Sequence, residues 1–322
     1  MSELELRQRI HELVRGYVAE CGKDLPGGVE RGMPLVESTI GPDEISAVID
    51  VLLDGRITMG PRVFGLEDAW SLWLAEKGVG AMRSLMVNSG SSANLLAMSA
   101  LASPHVEGGL RPGDEVLVPA VGWSTTVYPI AQVGCVPVLV DVDLRTLNVN
   151  AEILEAAISE RTRAIVVVHA LGNPCPMDEI MDLAEKHGLF VLEDCCEAHG
   201  AEMNGRRVGT FGDLSSFSFY FSHHMTTGEG GMLSFHDVDR WHDVCVSLRA
   251  HGWIMGRIDH EDHAAANPEI DPRWLFVSPG YNLRSTDLTA AIGLVQLEKL
   301  DGYVENRERI RAEVERMTQS SS

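Results

Sequence analysis

The stretch RAIVVVHALGNPCPMDEIMDLAEKHGLFVLED, residues 163–194, carries the architecture in miniature. It opens on a continuous apolar run, turns through Gly172 and Pro174, and takes up a helical pattern over MDEIMDLAEKHG. It closes on a second apolar run that ends in two carboxylates. Runs that are apolar throughout, rather than alternating, suit strands buried on both faces. A strand–helix–strand unit of this kind pairs its strands in parallel. The alternation extends both ways, with apolar runs at SLMVN, DEVLVPAV, CVPVLVDV, SSFSFY and GMLSF and helical patterns at SANLLAMSALAS and NAEILEAAISE. The expected fold is α/β, a mostly parallel sheet covered by helices on both faces. SSFSFY and GMLSF share only a turn, which leaves room for one of them to run antiparallel.

Before this region, residues 3–21 read as an amphipathic helix and a Gly/Pro-rich link runs through Met33-Pro34. GPDEISAVIDVLLDG reads as a helix with an acidic first turn and Gly55 as its stop. RVFGLEDAWSLWLAEKG reads as another, its apolar stripe belonging to a core. After residue 250 the chain is long, polar and aperiodic up to Arg284, and helical periodicity returns over STDLTAAIGLVQLEKLDGYVENRERIRAEVERM.

A formal net charge of -21 over 322 residues argues against nonspecific nucleic-acid binding and for a soluble chain. The charged N-terminus is not a signal peptide, and no apolar run has the length of a membrane span. The six cysteines form no CxxC, which fits reduced thiols in the cytoplasm.

Two motifs suggest chemistry. In LMVNSGSSANLLAMSAL a strand passes through Gly90 into a helix that starts at Ser91 and Ser92. Free N–H groups and the helix dipole favour a phosphate there, although a Ser-capped turn is common without one. Neither G-x-G-x-x-G nor G-x-x-x-x-G-K-[ST] is present. In GLFVLEDCCEAHGA a buried strand ends at Asp194, where parallel sheets bind ligands. An Asp there can pair with a protonated ring nitrogen and turn the ring into an electron sink, or simply cap a helix.

These two stretches, with SFSFYFSHHMTTGEGGML (216–233) and GYNLRSTDLTAAIGLVQLEKL (280–300), resemble the DegT/DnrJ/EryC1/StrS sugar aminotransferases in order, from about residue 34 to 310. The resemblance implies an aspartate aminotransferase-like large domain, pyridoxal 5′-phosphate as cofactor, and a homodimer with shared active sites. It divides the chain into N-terminal helices (1–82), a cofactor-binding large domain (83–250), and a loop with helices (251–322). That last part leads toward a smaller C-terminal domain that the sequence stops short of. By position, Gly90, Ser91, Ser92 and Ser218 would hold the phosphate and Trp123 would stack on the ring. Asp194 would pair with the ring nitrogen, and Glu197 would lie near the cofactor hydroxyl. Asn282 would reach the neighbouring subunit's phosphate.

The aminotransferases place their cofactor-binding lysine in a pattern like SFHxxKxxTTGEGG. Here His223 stands at that position, and the four lysines (Lys23, Lys77, Lys186, Lys299) all lie outside the cofactor turns. Imidazole is not a primary amine and cannot take over the covalent bond, but it can move protons near neutral pH. The substitution is similar to that of the nucleotide-sugar 3-dehydratase branch. This likeness implies pyridoxamine 5′-phosphate as the working form, a 4-keto-6-deoxyhexose linked to a nucleotide as substrate, and His223 as the base during loss of the C3 hydroxyl. His224 then reads as a neighbour, and His251 and Arg284 as substrate contacts. One subtype of the branch carries an iron–sulfur cluster. Cys196 matches its first cysteine, but SLRAHGWIMGRIDHEDH supplies none of the others, and a cluster needs about four thiolates. The glutamate-dependent subtype, without a cluster or other metal, is therefore expected. GDP, CDP and dTDP stay open as the nucleotide, with GDP ahead. The competing readings are a sugar-nucleotide aminotransferase with a displaced lysine and a non-catalytic cofactor-binding regulator.

Overall fold

The computed structural model describes residues 2–21, 38–78 and 80–319. The link through Met33-Pro34 lies outside them. In chain order the elements are α1 (Glu3–Cys21), α2 (Pro42–Asp54), α3 (Pro61–Ala75), β1 (Arg83–Val87), α4 (Gly90–Leu101), β2 (Glu115–Pro119) and α5 (Ser124–Gln132). There follow β3 (Val136–Val140), α6 (Ala151–Ala157), β4 (Thr162–Val168), α7 (Met177–His187), β5 (Phe190–Asp194), β6 (Glu202–Met203), β7 (Arg206–Arg207) and β8 (Leu214–Ser218). The chain continues through β9 (Gly231–Phe235), α8 (Val238–Arg249), α9 (His260–Ala266) and α10 (Asp287–Gln319). Two units interleave along the sequence. One takes residues 67–218 and 231–284; the other takes 1–66, 219–230 and 285–322.

The first unit holds a seven-stranded sheet in the order β1-β9-β8-β5-β4-β2-β3. The pairings of β5 with β8 and of β4 with β2 and β5 are parallel, as is that of β2 with β3. β9 runs antiparallel to both its neighbours, as the short connection to GMLSF allowed. Successive residues feed opposite faces. Val116, Val118, Ala164 and Val166 join a core with α4, α5 and α8, while Leu117, Ile165 and Val167 join another with α6 and α7. Both faces are thus covered, which explains the apolar runs of β1, β2, β4, β5 and β9; the apolar run of β3 is different, because β3 is an edge strand and leaves Val136 and Leu139 exposed. The polar span after residue 250 is not bare loop: it contains α9 and a 3-10 turn at Pro272–Trp274.

The second unit centres on α2 and α10. Pro42 starts α2, Gly55 ends it in the left-handed region at φ 71°, and the Glu44 carboxylate turns back to accept from Gly41 N at 2.8 Å. Glu44 is fully buried and also accepts from Gln296 Nε2 (2.8 Å) and Lys299 Nζ (2.5 Å) of α10. Burial alone would raise its pKa, but these donors outweigh it and hold the carboxyl below its ordinary value. The β8–β9 connection, residues 219–230, also belongs to this unit.

Candidate active site

Every parallel strand runs toward the same edge of the sheet, and Gly90, Ser91, Ser92, Trp123, Asp194, Glu197 and Ser218 stand at or just after the carboxyl ends of β1, β2, β5 and β8. This is where open α/β sheets place their ligands. At the end of β1, Asn88 N donates to Leu283 O at 3.0 Å. Ser89 then caps α4, its Oγ accepting from Ser92 N at 3.0 Å, while Ser92 Oγ donates to Asn88 Oδ1 at 2.6 Å. Ser92 therefore shapes the turn from within. The first-turn N–H groups of Gly90 and Ser91 have no intrahelical acceptor.

Only glycine permits this turn. A Cβ on Gly90 would stand 2.5 Å from Ser218 Cβ and 2.9 Å from Cys196 Sγ. A Cβ on Gly231 would stand 2.5 Å from the Ser89 carbonyl carbon and 2.6 Å from Gly90 N. The close approach brings Ser218 at the end of β8 against the turn. Two free backbone donors, a nearby hydroxyl and a helix N-terminus make a donor set that fits a phosphate monoester.

Asp194, at the end of β5, is buried. Its Oδ2 accepts from Asn94 Nδ2 (2.9 Å) and Thr126 Oγ1 (2.7 Å), and its Oδ1 accepts from Cys196 N at 3.2 Å. Asn94 lies four residues into α4 from Gly90, a rise of about 6 Å. A carboxylate thus sits behind a phosphate-type turn, a spacing that suits a phosphorylated pyridine lying between them. Trp123 caps the start of α5 and is 73% exposed, leaving its ring face open. Ser91 Oγ and Thr125 Oγ1 pair at 2.8 Å and tie that segment to the turn. Glu197 is exposed two residues past Cys195. The Cys196 thiol is pushed well above its ordinary pKa, by burial first and then by Asp194, so it stays protonated.

His251 and Arg284, expected at the substrate, meet Asn282, expected at the neighbouring subunit's phosphate, in one cluster. Arg284 Nε donates to Asn282 Oδ1 at 3.0 Å, and its Nη2 lies 3.2 Å from His251 Nε2. A guanidinium has no acceptor, so His251 Nε2 is the unprotonated ring nitrogen.

His223 and His224 belong to the other unit, on the β8–β9 connection. Phe219 N donates to Gly230 O and Thr227 N to Phe219 O, each at 2.9 Å. This base closes the loop, and His223 N donates to Tyr220 O at 3.0 Å at its tip. The His224 imidazole has a pKa lowered to about 4 by burial, with Arg307 and His223 adding to the effect. In the unfolded chain the ring would protonate near its ordinary 6.5, so the unfolded state takes up the proton first on acidification. His224 should therefore cost stability as pH falls from 6.5 to 4, by at most about 3 kcal/mol, with no further loss below. Urea unfolding of His224→Gln at pH 7 and pH 4 is expected to show a smaller acid loss than the parent chain.

Each described lysine is engaged by a carboxylate: Lys77 by Glu202, Lys186 by Glu155 and Lys299 by Glu44. Beside Asp194, the fully buried Glu193 points the other way, toward His169, and with Cys195 these groups lie within 4.8 Å of one another. They do not form a metal site. Glu193 Oε1 accepts from Phe211 N and Gly212 N, and Oε2 from Gly209 N and His169 Nε2, which fills all four lone-pair positions. His169 Nδ1 is taken by Cys175 N at 3.0 Å. Asn94, Thr126 and Ser216 were not among the residues expected from sequence. Asn94 stands in a mostly apolar stretch of α4, whereas Thr126 and Ser216 stand among other hydroxyl residues of α5 and β8.

Among the described residues no helix is long and apolar enough to cross a membrane. Residues 38–320 match the DegT/DnrJ/EryC1/StrS aminotransferase family. The chain is 39% identical to the GDP-4-keto-6-deoxy-D-mannose 3-dehydratase of Yersinia pseudotuberculosis, covering 86% of this chain and 69% of that one. It is 38% identical to a GDP-perosamine synthase of Caulobacter vibrioides, over 72% of this chain and 56% of that one. A solved GDP-4-keto-6-deoxymannose-3-dehydratase, a histidine-to-asparagine mutant with bound GDP-perosamine, superposes with a TM-score of 0.78 at 37% identity, covering 86% of this chain and 71% of that one. The same enzyme trapped with a PLP–glutamate geminal diamine gives 0.73 at 36%, over 84% and 69%.

Proposed function

This chain belongs to the DegT/DnrJ/EryC1/StrS aminotransferase family, and we propose that it is a member that removes a hydroxyl group rather than installing an amino group. Its cofactor is pyridoxal 5′-phosphate and the corresponding amine. The proposed reaction takes the C3 hydroxyl from a nucleotide-linked 4-keto-6-deoxyhexose, leaving a 3,6-dideoxy-4-keto sugar, with L-glutamate restoring the amine. The observation that carries this reading is His223 at the family's lysine position, in a chain whose described lysines are all held by carboxylates elsewhere.

When bound, the cofactor supplies a protonated pyridine ring that accepts electron density from the bond being broken. The chain's own groups do the rest. Gly90 and Ser91 N–H and the Ser218 hydroxyl receive the phosphate. Asp194 holds the ring N–H, and Trp123 covers the ring face. His223 would be the group that takes up the proton from the amine-bearing carbon. His224, with a pKa of about 4, is a weak proton acceptor at neutral pH and favours His223 as the base. His251, Asn282 and Arg284 offer a guanidinium and an amide to phosphate oxygens, of the sugar nucleotide or of a neighbouring subunit's cofactor. The reading includes a homodimer working in the cytoplasm.

The alternative is amino transfer, which the perosamine synthase relative supports. Ammonia separates the two. Borohydride after pyridoxal phosphate should leave no lysine adduct, and the sugar should lose its C3 oxygen. 2-Oxoglutarate and ammonia should then form in equal amounts. In net terms the sugar's oxygen appears in the 2-oxoglutarate and the glutamate nitrogen leaves as ammonia. A sugar that keeps the nitrogen, or an adduct mapped to one lysine, would overturn the dehydratase reading.

A further inference from the structure

Asp194 has two oxygens that are not equivalent. Oδ2 takes both Asn94 Nδ2 and Thr126 Oγ1, whereas Oδ1 takes the longer contact from Cys196 N, and the Cys196 thiol also hydrogen-bonds the carboxylate. Asn94 is 2% exposed and Ser216 fully buried, and Ser216 Oγ lies 2.6 Å from Asn94 Oδ1. The orientation of the amide follows from its partners. Were it flipped, its oxygen would face the Asp194 carboxylate at 2.9 Å, two acceptors in contact. The buried hydroxyl of Ser216 donates to Asn94, and Asn94 donates to Asp194. This chain of donors ends on Oδ2 and leaves Oδ1 without a side-chain amide or hydroxyl partner.

We propose that Asn94, set by Ser216, is the positioning residue that selects Oδ1 of Asp194 as the oxygen meeting the cofactor's ring nitrogen. The inference rests on the cofactor reading above and adds a specific role for two residues outside the expected site. Removing Asn94 frees Oδ2 from one of its two anchors and lets the carboxylate rotate, so the ring N–H no longer meets a fixed acceptor. Ser216 also hydrogen-bonds the Cys196 thiol, but it reaches Oδ2 of Asp194 through Asn94, so its loss matters less and adds little once Asn94 is gone.

The test compares binding of pyridoxamine 5′-phosphate with binding of its 1-deaza analogue, in which the ring nitrogen is replaced by C–H. Binding of both is followed by absorbance and equilibrium dialysis. The parent chain is expected to prefer the natural compound. Asn94→Ala should weaken natural-compound binding about 30-fold while changing deaza binding less than threefold. Ser216→Ala should narrow the preference about threefold, and the double variant should match Asn94→Ala. If Asn94→Ala weakens both compounds equally while the parent discriminates, the residue is merely structural and the proposal fails alone. If the parent does not discriminate, the Asp194–ring pairing fails and takes the proposal with it. Should Asn94→Ala not fold, Ser216→Ala decides the matter: an unchanged preference overturns the relay.

Discussion

Replacing His223 with Asn should lower dehydration by about 10²- to 10⁴-fold, the usual worth of a positioned proton-transfer group, and leave cofactor affinity within about twofold. The residue lies on a loop closed by Phe219 N to Gly230 O and Thr227 N to Phe219 O, so the backbone fold of the loop does not rely on the imidazole. None of the groups assigned to the phosphate or the ring nitrogen changes. The measurement is single-turnover loss of the C3 oxygen by the amine-loaded enzyme, alongside a titration with pyridoxal 5′-phosphate. Turnover within threefold of the parent would remove His223 from the chemistry. A parallel collapse of cofactor binding would make its role structural.

The second large effect is expected at Gly231→Ala. The added methyl would sit 2.5 Å from the Ser89 carbonyl and 2.6 Å from Gly90 N, both backbone atoms that cannot swing away as a side-chain tip can. Either β9 or the turn must move. Overpacking of this kind costs about 1–3 kcal/mol, and a shifted turn misdirects the Gly90 and Ser91 donors. Cofactor affinity should fall about 10- to 100-fold, with a smaller loss of thermal stability. Gly228→Ala serves as the control. Its Cβ meets nothing within 4 Å, though its φ of 81° adds backbone strain without touching the turn. Unchanged affinity in Gly231→Ala would mean that the turn does not hold the phosphate.

Much of this arrangement could be read from residues alone. Continuous apolar runs marked the buried strands because burial on both faces leaves no polar period to see, and Gly90 and Asp194 announced themselves at the ends of such runs. Other parts were hidden for physical reasons. α5 contains Pro129 and opens on three hydroxyl- and β-branched-rich positions, so its local preference speaks against a helix that packing nevertheless sustains. Asn94 sits within an Ala/Leu stretch that reads as core, and its meaning appears only when β5 and β8 bring Asp194 and Ser216 beside it. Ser215, Ser216 and Ser218 in a fully buried strand were the visible anomaly, since buried hydroxyls call for partners. The assignment of residues 219–230 to a different unit from the strands on either side has no local signature at all.

That closed loop also bears on how such a chain could diversify. Its base is fastened by main-chain hydrogen bonds, which are indifferent to the side chains carried at the tip. A single codon change at His223 can therefore exchange one reactive group for another while the main-chain base of the loop is kept, and selection can sample new reactions on an inherited loop.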